Sequence, residues 1–135
     1  AVTVLNPAPA RDIPQTLLSL ANIVVPNETE SAAIGGTKNL LKLGAATVIT
    51  TLGADGASIE TSSSTTHIAP HKVIPIDTVG AGDAFIGATC AELSRGASIE
   101  NAARIGAIAG ALATTVKGAV PSLPTRQAVL AAQKS

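Results

Sequence analysis

The sequence predicts an α/β protein, with a mainly parallel sheet, a short antiparallel hairpin on one side and helices on both faces. Three observations lead there. Ile23-Val24-Val25 is a continuous apolar run of the kind found in parallel strands covered on both faces. Thr47-Val48-Ile49-Thr50-Thr51-Leu52, the strongest strand pattern in the chain, runs through Gly53-Ala54-Asp55-Gly56 into a second strand pattern over Ala57–Glu60. From Phe85 onward, apolar residues recur at helical spacing.

Composition narrows the class of function. At 135 residues the chain has the size of one domain, and its 46% hydrophobic and 13% charged content excludes disorder. Phe85 is the only aromatic residue, so the core must be built from Ala, Val, Ile and Leu. Nine basic and nine acidic residues cancel, with no Lys/Arg cluster, which argues against a nucleic-acid or anionic-membrane surface and for a small-molecule partner. Cys90 is alone and lies within an apolar helix pattern, so it reads as a small core residue in a reducing, cytoplasmic setting. Residues 1–6 are strand-like and lead into prolines, unlike a secretory leader. The most apolar run, residues 105–116, is too short and too rich in Ala and Gly to span a bilayer and reads as a buried helix. Lacking any methionine, the chain is expected to be a piece of something longer, or a processed or engineered form.

Taken in order, residues 2–5 form a β-branched run ended by Asn6-Pro7-Ala8-Pro9, a strand then a loop. Leu17, Leu18 and Leu20 fall in a brief helix, and the buried strand at residues 23–25 stops at Pro26. The polar cluster Asn27-Glu28-Thr29-Glu30 follows it directly, where open α/β sheets usually meet ligands; the same residues also suit a helix start with acids in its first turn. Residues 38–43 form a short helix closed by Gly44. After the strand at Thr47, Asp55-Gly56 builds a hairpin turn, residues 66–69 make a further strand, and Ser62, Ser63 and Ser64 are loop. His67 reads as an exposed strand residue, since no second ligand lies at metal spacing. Phe85, Ile86, Cys90 and Leu93 mark a helix that Arg95-Gly96 closes. Ser98 caps the next helix, through Ile105, Ile108 and Leu112, whose many Gly and Ala residues permit close packing, and Thr125 caps a last helix ending near Gln133.

The chemistry centres on Asp77-Thr78-Val79-Gly80-Ala81-Gly82-Asp83-Ala84-Phe85, a carboxylate, a glycine turn and a second carboxylate at a helix start. The first amides of a helix lack intrahelical partners and carry the positive end of its dipole, so a phosphate or developing anion can sit there. Asp83 in the first turn could take a proton from an attacking hydroxyl, although an Asp at that position often only complements the dipole. The nine residues together resemble the C-terminal signature of the ribokinase-like (PfkB) family of sugar and nucleoside kinases. The resemblance implies Asp83 as catalytic base and contact to the sugar hydroxyl, with Gly80, Ala81 and Gly82 as the anion hole. Asn27 and Glu30 match the family's Asn-x-x-Glu, which places Asn27 near the nucleotide phosphates and Glu30 on hydrated Mg²⁺. Thr51, Leu52, Gly53, Ala54, Asp55 and Gly56 match its Thr-Leu-Gly-x-x-Gly turn around ATP, which Gly82 and Asp83 also approach. For K⁺, the resemblance implies Asp77, Val79, Ala113, Val116, Gly118 and Ser122.

The implied fold is the family's three-layer Rossmann-like one, incomplete at its N-terminal side, with residues 1–135 as the nucleotide-binding and catalytic C-terminal half of a protein that is homodimeric when whole. Leu5-Asn6-Pro7-Ala8-Pro9-Ala10 and Lys117-Gly118-Ala119 followed by Ser122 and Pro124 resemble the family's ribose-phosphorylating members more than those acting on fructose or adenosine, a resemblance that implies a ribose acceptor. Two features depart from the family: a short interval between Glu30 and Thr47, and Ala107 where many relatives carry Asn or His near the adenine. A nucleotide-binding fragment or paralogue without catalysis is the competing reading.

Overall fold

The computed structural model describes residues 1–135. They divide into two compact units, Ala1–Gly53 with Ala57–His67, and Ala54–Gly56 with Ile68–Ser135. The first unit is built on a sheet of five strands in the order β1 (Val4–Leu5), β2 (Ile23–Val24), β3 (Thr47–Thr51), β4 (Ala57–Glu60) and β5 (Thr65–Ile68). β1–β2 and β2–β3 pair in parallel, and β3 pairs antiparallel with β4 from Val48↔Glu60 to Thr51↔Ala57. The parallel β1–β2–β3 arrangement with a reversed strand beside it is as the sequence predicts.

Strand alternation sends Val24 and Val48 to one face, where they join Leu18 of helix α1 (Gln15–Leu20), Leu40 of helix α3 (Thr37–Lys42), Ala21 and Ala45 in one core. Ile23 and Ile49 point the opposite way and are 1% and 0% exposed, so β2 and β3 are buried on both faces. β1 is shorter than its apolar run. Thr3 turns its backbone N–H to Asn22 Oδ1 at 2.8 Å and its hydroxyl to the Leu20 carbonyl at 2.7 Å, while its carbonyl still accepts the Asn22 and Ile23 N–H groups at 3.1 Å, so the ladder continues on one side only.

The second unit holds α4 (Ala81–Ser94), α5 (Ile99–Ala113) and α6 (Arg126–Gln133). The expected caps are present: Ser98 Oγ accepts the Asn101 N–H, and Thr125 Oγ1 accepts that of Ala128. Ile105, Ile108, Ala109 and Val129 form its core. The small residues of α5 serve close packing. A Cβ on Gly106 would run into the Thr89 hydroxyl and come within 2.8 Å of the Phe85 carbonyl oxygen of α4.

That close approach also decides which face of α4 is inside. The buried residues are Ala84, Phe85, Thr89 and Glu92, whereas Ile86, Cys90 and Leu93 are only half-buried, so the core stripe lies to one side of the one read from hydrophobicity. Glu92 can be buried because Arg126, at the start of α6, holds its carboxylate with two bonds, Nε to Oε1 at 2.7 Å and Nη2 to Oε2 at 3.2 Å. This paired donor, with the smaller effect of Arg95, holds Glu92 below the ordinary carboxylate range despite its burial. A depressed carboxylate contributes stability that is complete above its unfolded value near 4.5 and is lost as pH falls through the lower folded value. Glu92→Gln is therefore expected to flatten the acid limb of a melting-temperature profile below about pH 4.5. An acid limb identical to that of the parent protein would refute a role for this pair.

Candidate active site

The signature turn folds around a glycine. Gly80 has φ 82° and ψ −3°, a left-handed conformation that residues with a Cβ adopt only at a cost, and it serves as the N-cap of α4. A Cβ there would also come within 3.2 Å of Ala119 Cα. The helix ladder begins with the Ala84 N–H on the Gly80 carbonyl at 2.9 Å, and the Ala81 N–H closes a turn on the Thr78 carbonyl at 3.3 Å. The amides of Gly80, Gly82 and Asp83 accordingly have no acceptor within the chain. Free donors at a 14-residue helix start are what an anion requires. Of the three amides expected to form the hole, Gly80 and Gly82 are free and that of Ala81 is used in the turn, while the Asp83 amide is also free. Asp83 itself is exposed on that first turn and lines a cavity of about 310 Å³ together with Gly87, Ala91, Arg95 and Arg126.

Asp77 secures the approach to this turn. Its Oδ1 accepts the Val79 N–H at 3.0 Å, and its Oδ2 accepts the Gly118 N–H at 2.9 Å across 41 residues of sequence. The Gly118 bond first, and the Val79 bond second, hold its carboxyl below the usual range. The Thr114 carbonyl adds two more ties, from the Ile76 N–H at 2.7 Å and the Asp77 N–H at 3.0 Å. Asp77, Val79 and Gly118 are thus brought together as expected. The carbonyls of Val79, Val116 and Gly118 accept no hydrogen bond, which suits a hard monovalent cation, while that of Ala113 has only the distant Val116 N–H at 3.5 Å. The Ser122 hydroxyl donates to the Ala119 carbonyl at 2.6 Å and is tied to its own turn, not to Asp77.

In the first unit, Asn27 caps helix α2 (Glu28–Ala33) in a reciprocal box: its Oδ1 accepts the Glu30 N–H at 2.8 Å, and Glu30 Oε2 accepts the Asn27 N–H at 2.9 Å. The structure shows the helix-start reading of this cluster: the box fixes the two side chains and leaves Glu30 Oε1 without a partner. A parallel bridge joins Asn27 to Thr51, with the Thr51 N–H on the Pro26 carbonyl at 3.0 Å, so these residues share the end of β3. Gly53–Asp55 make a 3-10 turn. Gly53 opens it at φ 56°, and Gly56 follows it at φ 89°. His67 is exposed, and no group of three or more His, Cys, Asp or Glu side chains converges to hold a metal. A cation at Glu30 would therefore be one that keeps its waters and takes phosphate oxygens, as Mg²⁺ does.

Sequence reasoning did not find the Thr114 carbonyl, the free Asp83 amide or the Glu92–Arg126 pair. Backbone groups leave no residue-type signal, and Glu92 and Arg126, 34 positions apart, read singly as surface charges.

The family model described as pfkB family carbohydrate kinase matches residues 1–126. The chain belongs to that family. It is 39% identical over 140 residues to the ribokinase of Staphylococcus aureus, a match that covers 94% of this chain and 46% of that protein. Its structure is similar to the crystal structure of Thermotoga maritima ribokinase, with a TM-score of 0.94 and 32% identity over 100% of this chain and 50% of that one. Against Arabidopsis thaliana ribokinase complexed with ribose and ATP, the TM-score is 0.87 at 30% identity, over 100% of this chain and 48% of that one. The chain thus spans about half the length of these pfkB relatives. No helix is long and apolar enough to cross a membrane.

Proposed function

We propose that this chain is the nucleotide-binding and catalytic half of a pfkB sugar kinase that transfers the γ-phosphoryl group of ATP to a hydroxyl of a pentose such as ribose. The observation that carries the reading is the Gly80 turn: it leaves the Gly82 and Asp83 amides unpaired and sets the Asp83 carboxylate on the same turn. Asp83 takes the proton of the acceptor hydroxyl as its oxygen attacks the γ-phosphorus and the bond to the β–γ bridging oxygen breaks, releasing ADP. The free amides hold the charge of the phosphoryl group in transit. Thr51 through Gly56 shape the nucleotide turn, with Asn27 at the phosphates. Mg²⁺, held through water by Glu30, would neutralise phosphate charge, and K⁺ among the carbonyls of Val79, Ala113, Val116 and Gly118 near Asp77 would steady the turn. Ribose is favoured as acceptor by the curated and solved relatives named ribokinase.

The test is ADP release by the intact protein with ATP, Mg²⁺ and K⁺, over a panel of ribose, fructose and a nucleoside. Release that depends on ribose, with the highest kcat/KM for it, is expected. Binding of ATP without phosphorylation of any acceptor would sink the kinase reading, and a preference for fructose or the nucleoside would move the substrate.

A further inference from the structure

We propose that Gly110 is a positioning residue for the anion hole, an inference that rests on the kinase reading of the Gly80 turn. Gly110 lies buried in the last turn of α5, facing the first turn of α4. A Cβ built on it would stand 3.1 Å from the Ala81 carbonyl oxygen, 3.5 Å from Phe85 Cβ and 3.9 Å from the Ala81 carbonyl carbon. That carbonyl belongs to the same planar peptide unit as the Gly82 N–H, one of the free donors of the turn. Pressure on the oxygen cannot be absorbed inside the unit; it tilts the plane and swings the N–H at its other corner. Nothing lies within 4 Å of a Cβ on Gly82 itself, so no side chain braces that peptide from the Gly82 end. The bare backbone of Gly110 therefore sets the tilt of this donor, and it does so without touching nucleotide or sugar.

Gly106 supplies the comparison. It too is filled by α4, but a Cβ there meets the Thr89 hydroxyl and the Phe85 carbonyl oxygen, one turn beyond the free amides. Crowding at Gly106 strains the helix contact; crowding at Gly110 strains the donor.

The experiment compares Gly110→Ala, Gly110→Val and Gly106→Ala in the intact protein, with kinetics and the ¹H–¹⁵N resonance of the Gly82 amide recorded without ligand. Gly110→Ala, which also favours the helix, is expected to fold, to lower kcat about tenfold with the sugar KM little changed, and to move the Gly82 resonance more than amides at the far end of α4. Gly110→Val should do more of both, and Gly106→Ala should lower the melting temperature without the selective loss of kcat. If the parent protein turns over no acceptor but the Gly82 resonance still moves selectively, the kinase reading falls and the coupling of Gly110 to this amide stands. A folded Gly110→Ala protein with parental kcat and an unmoved Gly82 resonance overturns the inference, as does an equal kcat loss in Gly106→Ala.

Discussion

Asp83→Asn in the intact protein is expected to lower turnover by roughly a hundred- to ten-thousandfold while leaving KM for ATP and sugar within a few fold. The substitution keeps the shape of the side chain and removes its ability to accept a proton. Nothing in the fold leans on the carboxylate: Asp83 is exposed, it makes no side-chain hydrogen bond, and the helix above it is capped by the Gly80 turn. A loss of kcat can therefore be read as chemistry and not as misfolding. Its backbone N–H, a free donor of the turn, is unchanged in the variant, so anion binding should persist. Parental turnover would mean that another group takes the proton and that Asp83 does no more than complement the helix dipole.

The second large effect is on stability. Gly56 closes the turn after β3 at φ 89°, and a Cβ there would run onto the Ile68 carbonyl oxygen and lie 2.9 Å from Pro70 N and 3.0 Å from the Ala69 carbonyl carbon. All three contacts are with backbone, which cannot rotate away as a side chain could. Left-handed strain of about 1–2 kcal/mol and overpacking of about 1–3 kcal/mol then act together in Gly56→Ala. At about 2–4 °C per kcal/mol for a protein of this size or larger, the melting temperature should fall by roughly 10 °C. Gly53 provides the contrast, because its φ is 56° but nothing lies within 4 Å of its Cβ position. Gly53→Ala should show the strain alone, and equal losses at the two positions would remove the close backbone approach as the reason for glycine at Gly56.

Much of the site could be read from residue types because its parts are local. A β-branched run such as Thr47–Thr51 is a strand in almost any context, and Asn27 with Glu30 three residues on is a capping box whether or not it also meets phosphate. The Gly80 turn likewise follows from a glycine placed where the backbone must be left-handed. What could not be read is what the chain acquires by coming together. The Asp77–Gly118 bond, the Thr114 carbonyl ties and the Glu92–Arg126 pair join residues remote in sequence, two of the three through backbone atoms that every residue possesses. The face of α4 was misjudged for a related reason. Hydrophobicity ranks Ile86 and Leu93 above Thr89 and Glu92, but the buried side was chosen by where α5, with Gly106 and Gly110, can approach most closely. The size of the cleft between backbones decided it, more than the greasiness of the side chains.

Phe85 is 4% exposed and sits between the two glycine contacts of α5, its Cδ2 facing Gly106 and its Cβ facing Gly110. With no Trp or Tyr among these 135 residues, its ring is the only aromatic chromophore that they contain. Optically the stretch is almost dark, and the one lamp in it hangs beneath the first turn of α4. Within the stretch, the environment of that ring is set by one helix crossing, that of α4 with α5. A tryptophan introduced into either of the two compact units would have no other tryptophan in the stretch beside it, so each unit can carry its own fluorescent reporter of unfolding.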